Sequence, residues 1–182
     1  MNNTNGTSST AGKFSSAFSL GSQIFHSLDR QYAQILQEKS NTAFAFGLKK
    51  PGNTQTASVA APYIYAEDNW MDDMELAGAM LGDAAAPQLG GANGTDYAYI
   101  LAQKEPLTPW LGADTASHYQ WYPFINVGHY ELIKKLSDSR RDTVADYYKQ
   151  GIELVWNKAK QNAFLRGVPF IWCSNNLTTS FA

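Results

Sequence analysis

Between residues 11 and 28, Phe14, Ala17, Phe18, Gly21, Ile24, Phe25 and Leu28 recur at three- and four-residue intervals. That spacing predicts a helix, with Ser9 or Thr10 placed as its N-cap. A second helix runs on from Asp29 with Tyr32, Ile35, Leu36, Ala43 and Phe46 as its apolar positions. Gly47 and the run Lys49-Lys50-Pro51-Gly52 end it. A turn near Ser27 to Asp29 would fold the two into an antiparallel pair. Residues 53–62 are small and polar, a connection. The spacing then predicts a helix over Met71–Leu81, with Met74, Ala77, Gly78 and Leu81 as a buried stripe. Asn69 suits its N-cap, and Asp72 and Asp73 fall in the first turn, where carboxylates favour the helix dipole.

Residues 82–94, with Pro87 and the Gly90-Gly91 pair, read as a loop. A short helix from Thr95 to Glu105 presents Tyr97, Ile100 and Leu101, and Pro106 and Pro109 turn the chain at its end. Pro123 opens the next helix, which continues through Ile125, Gly128, His129, Leu132, Ile133 and Leu136. After a polar link comes a long helix from about Asp142 to Ala163, whose face carries Val144, Tyr147, Tyr148, Gly151, Ile152, Val155, Trp156 and Ala159. One more helix opens near Asn175. Residues 1–9 are Asn, Thr, Ser and Gly after the first Met, and read as a disordered or extended lead-in. The class is all-α, built of successive helical hairpins. Phe18, Ile24, Ile35, Leu76, Ile133, Ile152, Val155 and Trp156 are the expected core.

Composition narrows the function. Lys plus Arg is 14 and Asp plus Glu is 16, a formal charge of -2, which gives no electrostatic case for nucleic acid or an anionic membrane. No apolar run is long enough to span a bilayer, and the first ten residues lack the basic and apolar regions of a signal peptide. A single Cys173 excludes an internal disulfide framework. Aromatic residues make up 13% of the chain, against 16% charged. Tyr and Trp carry a polar handle, so many of them are expected half-exposed, in a cleft or an interface.

No His, Cys and Asp spacing matches a metal site, and no phosphate loop or nucleophile elbow is present, so no cofactor is expected. His129, on an apolar helical face, reads best as a satisfied structural histidine. Glu67, Asp68, Asp72 and Asp73 collect before and within the first turn of the Met71–Leu81 helix. Asp72 and Asp73 are adjacent, so they project in different directions, and their simplest task is the helix N-terminus. Trp172 precedes the Ser174-Asn175-Asn176 cap of the last helix. An indole at a helix mouth offers a flat apolar platform with a donor at its edge, suited to the C–H face of a sugar ring. Trp121 and Tyr122 stand at the start of an earlier helix, and Tyr63 and Tyr65 before another. Aromatics at three helix mouths suggest a ring of hairpins around one cleft, with core packing as the alternative.

Four stretches carry a resemblance. They are Ser9-Thr10-Ala-Gly-Lys-Phe14-Ser-Ser-Ala, Ala61-Pro-Tyr-Ile-Tyr-Ala-Glu-Asp-Asn-Trp70-Met-Asp-Asp-Met-Glu-Leu-Ala, Gly112-Ala-Asp-Thr-Ala-Ser-His-Tyr-Gln-Trp121-Tyr-Pro-Phe and Phe164-Leu-Arg-Gly-Val-Pro-Phe-Ile-Trp172-Cys-Ser-Asn-Asn. Together they resemble glycoside hydrolase family 9, in the cellulase and exo-glucosidase branch that carries an N-terminal immunoglobulin-like domain. The resemblance runs from about Ser8 to Ala182. It implies an (α/α)6 toroid acting on β-1,4-glucans with inversion, in a secreted or periplasmic protein. The family's general base belongs to an Asp-Ala-Gly-Asp-type motif, and no such run occurs in this sequence. The family's general acid is a Glu near the end of the catalytic domain. The resemblance therefore implies that residues 10–182 are an internal part of the toroid, truncated at both ends, which needs the remainder of the same domain. The first helix would then lack a neighbour, leaving Phe14, Phe18 and Phe25 more exposed than their periodicity suggests.

On this reading Trp172, Trp121, Tyr65, Tyr122 and Asp68 bind a β-glucan or cello-oligosaccharide, and none of them is catalytic. The rival from another class is a non-catalytic helical glycan-binding protein of a sugar-uptake system. A further rival is another six-hairpin family, with a catalytic Tyr, His or Arg in the cleft.

Overall fold

A computed structural model describes residues 4–54, 69–83, 93–105 and 127–167. Among these residues every regular element is a helix: α1 (Ser8–Phe25), α2 (Arg30–Lys49), α3 (Met71–Leu81), α4 (Gly94–Lys104), α5 (Val127–Ile133) and α6 (Ser139–Ala159). The helices pair in sequence as α1/α2, α3/α4 and α5/α6. The odd-numbered members lie side by side, α1 against α3 and α3 against α5, while α2 also touches α3 and α4 also touches α5. Two staggered layers of hairpins result, the arrangement of part of an α/α toroid.

The helix boundaries follow local chemistry. Asp29 caps α2 by accepting the Tyr32 N–H, Asn93 caps α4 by accepting the Asp96 N–H, and Asp138 caps α6 by accepting the Arg140 N–H. The start of α1 differs from the sequence expectation, since the capping position is Thr7 rather than Ser9 or Thr10. The chain before α1 is tied to the end of α2. The amides of Asn5 and Gly6 donate to the Asn53 carbonyl, and the Thr7 amide to that of Lys50. Ser8 and Ser9 are thereby already inside the helix and buried.

The core has two parts that meet on α3. Phe44, Met74, Ala77, Leu81 and Leu101 form one, with Trp70 and Tyr97 packed against it. Ala79, Ala98, Ala102, Leu132, Leu136 and Val144 form the other. The predicted stripe of Met74, Ala77, Gly78 and Leu81 is buried throughout.

Other core expectations are corrected. Of the eight residues expected in the core, Val155 is buried, and Phe18, Leu76 and Ile133 are partly so. Ile24, Ile35, Ile152 and Trp156 are exposed. On α1 and α2 the cause is close packing of the two backbones, which selects small side chains. On α1 the inward positions are Ser8, Ala11, Gly12, Ser15 and Ser19, and on α2 they are Ala33, Leu36, Ser40, Phe44 and Gly47. Serine hydroxyls stitch the two helices together. Ser8 Oγ donates to the Gly47 carbonyl at 2.8 Å, Ser40 Oγ to that of Ser15 at 2.7 Å, and Ser22 Oγ to that of Ala33 at 2.9 Å. Each bond satisfies a polar group that would otherwise be costly to bury. The large apolar side chains are displaced outward. Phe14, Phe18, Ile35 and Phe46 line an open groove of about 810 Å³ between the outer faces of α1 and α2. Phe14 and Phe25 are exposed and Phe18 is half-buried.

A close helix contact lies between α3 and α4. A Cβ placed on Gly78 would lie 2.7 Å from the Gly94 carbonyl oxygen, and one on Gly94 would lie 2.6 Å from that of Gly78. Backbone cannot yield as a flexible side chain can. Gly78→Ala is therefore expected to cost about 1–3 kcal/mol, the usual penalty of overpacking. Thermal unfolding checks it, and an unchanged melting temperature would mean that the two helices are further apart.

Candidate functional site

The N-terminal half of α3 gathers the buried ionisable groups. Asn69 stands two residues ahead of the helix, and its Oδ1 accepts the Met71 N–H at 3.1 Å. Its Nδ2 reaches across to the end of α4 and donates to Glu105 Oε2 at 2.5 Å. One side chain thus accepts the first amide of α3 and holds the residue that closes α4; the capping position is Trp70, not the expected Asn69, and no side chain caps it. One turn into α3, Glu75 Oε1 lies 2.6 Å from His129 Nδ1 on α5, and both residues are only 2% exposed. A single proton lies between them, and the pair keeps that bond whether it is neutral or ionic. Gly128 makes the approach possible, because a Cβ there would come within 2.9 Å of the Glu75 carboxyl carbon. The rings of Tyr147 and Tyr148 on α6 close the far side, 5.6 and 6.0 Å from the imidazole centre.

Burial sets the protonation of this cluster. It pushes the Glu75 carboxyl up, against the hydrogen bond and charge of His129, while Asp72 pushes in the same direction as burial. Glu105 rises from the ordinary glutamate value of 4.5 to about 7. Burial is again the largest cause. The Asn69 bond and His129 oppose it, and the carboxylates of Asp72 and Glu75 add to it. Tyr148 is also raised, first by burial and then by Glu75. Asp73 faces the other way, toward α1, where Lys13 Nζ meets its Oδ2 at 2.7 Å. Asp72 and Asp73 therefore do point in different directions, and Asp73 fills a structural place, as the spacing predicts.

Chemically, Glu75 is closed to a polymeric substrate and serves the packing of α3 on α5. Glu105 holds its proton near neutrality, a property associated with functional carboxyls. The Asn69 contact ties it to the helix start. Among the described residues no group of three or more His, Cys, Asp or Glu is placed to hold a metal ion, and no helix is long and apolar enough to cross a membrane.

Tyr65, Asp68, Trp121, Tyr122 and Trp172 lie outside the described residues. The described residues nearest to four of them do converge. Asn69 directly follows Asp68, Glu105 ends the helix before residues 106–126, and His129 stands just after that stretch. The expectation that His129 is a satisfied structural histidine is met by Glu75. Its partner and Glu105 were not singled out in the sequence. One signal for Glu75 was available, since it lies four residues before Ala79 on a helix that is otherwise small and apolar on that side.

The whole chain, residues 1–182, matches the description of Glycosyl hydrolase family 9. It belongs to that family. No curated protein and no solved structure matches the chain. Membership of family 9 makes glycoside hydrolysis its reaction class and carbohydrate its substrate class. The two-layered hairpins agree with it.

Proposed function

We propose that this chain contributes the aromatic substrate cleft of an inverting hydrolase of β-1,4-glucosidic bonds in cellulose or cello-oligosaccharides, secreted or periplasmic. On this reading Trp172, Trp121, Tyr65 and Tyr122 are platforms for glucosyl rings, and Asp68 accepts hydrogen bonds from sugar hydroxyls. The general acid and the general base come from other parts of the same polypeptide. Inversion needs them roughly 6.5–9.5 Å apart, with room for the attacking water. The observation that carries the reading is the convergence at one end of α3. Asn69 meets Glu105 there at 2.5 Å and Glu75 meets His129 at 2.6 Å. Asn69, Glu105 and His129 stand at or near the borders of the two stretches that hold Tyr65, Asp68, Trp121 and Tyr122.

The test compares this chain with the protein encoded by the full reading frame around it, on swollen cellulose and cello-oligosaccharides. Hydrolysis by the longer protein and none by the chain is expected. Removing either acid–base group costs on the order of 10²–10⁴ in rate, and here both would be missing. Turnover by the chain alone would overturn the division of labour. Binding without turnover by the longer protein would favour the glycan-uptake alternative.

Trp172→Ala in the longer protein is expected to remove about 1–3 kcal/mol of stacking, by the usual worth of an aromatic-sized apolar contact. The specificity constant should then fall roughly 5- to 150-fold, since 1.36 kcal/mol is a factor of ten. The melting temperature should move little. A large fall in melting temperature with unchanged kinetics would assign Trp172 to the core.

A further inference from the structure

Asn69 and Glu105 carry hydrogen-bonding capacity that the fold does not use. An Asn side chain offers one acceptor oxygen and two N–H donors, and a Glu carboxylate offers two acceptor oxygens. Asn69 Oδ1 accepts the Met71 N–H at 3.1 Å, and one Nδ2–H donates to Glu105 Oε2 at 2.5 Å. The second Nδ2–H and Glu105 Oε1 have no partner among the described residues. Both residues are partly buried, so each keeps some contact with solvent. The two oxygens of a carboxylate share one carbon, so the unused acceptor stands within a few ångströms of the unused donor. The pair is also held in place. The Asn69 amide plane is bonded at both ends, and the Glu105 N–H donates to the Leu101 carbonyl at 3.1 Å. A rigid donor and acceptor side by side form a preorganised polar contact.

The surroundings select the ligand. Asp72 and Glu75 on α3 and His129 on α5 are the ionisable groups that act on Glu105. Two of the three are carboxyls, and His129 is engaged by Glu75, so an anion would meet repulsion. Among the described residues no group of three or more His, Cys, Asp or Glu is placed to hold a metal ion. A neutral ligand that donates and accepts at adjacent positions fits the pair. Vicinal hydroxyls of a pyranose do this: one donates to the carboxylate while its neighbour accepts the amide N–H. Ionised or neutral, Glu105 can bond a hydroxyl, which is donor and acceptor at once. Packing alone gives no reason to set a third, half-bonded carboxyl in a partly buried space beside two others. Such a local conflict marks a functional position. We propose that Asn69 and Glu105 form a subsite that binds two adjacent hydroxyls of a sugar ring where α3 begins and α4 ends. Carbohydrate as the ligand class follows from the family, and the choice of a glucan rests on the reading of the cleft given above.

Nuclear magnetic resonance of the whole chain reads the subsite without a variant. Cellotetraose is expected to shift the Asn69 side-chain amide and the Glu105 carboxyl carbon, with one affinity for both. Glu105→Gln supplies the second measurement, at about pH 8.5, above the folded value of about 7. Its carbonyl must face the Asn69 donor, which leaves an amide donor on the open edge in place of an acceptor. Binding there should weaken roughly 10- to 100-fold, the loss of a hydrogen bond to a charged group. The melting temperature should hold or rise, because a charge beside Asp72 and Glu75 is removed. A lower melting temperature with unchanged affinity would assign the pair to the packing of α3 on α4 and overturn the subsite. Cellotetraose that binds elsewhere and leaves both groups unmoved overturns the subsite and keeps the glucan. Shifts at both groups with a xylo- or manno-oligosaccharide, and none with cellotetraose, keep the subsite and overturn the glucan. No shift at either group with any of the three sugars overturns the subsite.

Discussion

Glu75→Ala is expected to lower folding stability by about 3–5 kcal/mol, the cost of breaking a buried pair by removing one partner. The glutamate fills the space above Gly128, and truncation would leave a gap beside a histidine that stays out of water. Glu75→Gln keeps the shape and an acceptor for the imidazole, so its cost should be nearer 1 kcal/mol, that of a typical hydrogen bond. The double variant Glu75→Ala with His129→Ala should cost less than the sum of the single changes, because neither residue then strands the other. Urea unfolding of the wild type, Glu75→Ala, Glu75→Gln, His129→Ala and the double variant measures these terms. Additive costs would mean that the 2.6 Å contact contributes nothing.

How far the sequence revealed this arrangement depends on which physical signal spoke for each residue. The span of α3 was legible to the residue because two local signals agree there, two acids in the first turn and an apolar repeat at helical spacing, although the capping position is Trp70 rather than the expected Asn69. His129 was legible as a residue in need of a partner, since a histidine on an apolar face is costly to bury alone. The partner was not, because several carboxylates of one helix compete for it and only the crossing of α3 and α5 chooses among them. Glu105 was hidden for a related reason. Its shift comes from burial and from Asp72 and Glu75, which are distant in sequence. The candidate sugar platforms lie in stretches between helices, and their reading rests on the family and on the residues that border them.

The inward faces of α1 and α2 were misread because hydropathy counts large apolar residues, whereas close helix packing rewards small ones. On α6 the buried positions are Val144, Gly151, Val155 and Ala159, while Ile152 and Trp156 sit beside them in solvent. On α1 serine, which a hydropathy scale sets aside as neutral, forms most of the buried stripe. Its hydroxyls find acceptors on α2 and α3, including the Met80 carbonyl, 2.9 Å from Ser19 Oγ.

The two phenylalanines near the end of α2 separate these views in one experiment. Phe44 is 1% exposed and packs edge-on against Tyr97, with ring centres 5.6 Å apart. It belongs to the cluster with Met74, Ala77, Leu81 and Leu101. Phe46, the residue that periodicity favoured, is 54% exposed on the wall of the outer groove. Phe44→Ala is expected to cost about 3–5 kcal/mol, since it removes a full side chain from a site closed by three helices. Phe46→Ala should cost about 1 kcal/mol or less, because most of its ring already meets water. For a chain of this size that is a fall in melting temperature of roughly 6–20 °C for the first and at most about 4 °C for the second. The reverse order, or two equal losses, would place the core on the face that carries Ile35 and Phe46 and would undo the serine-lined packing of α1 on α2.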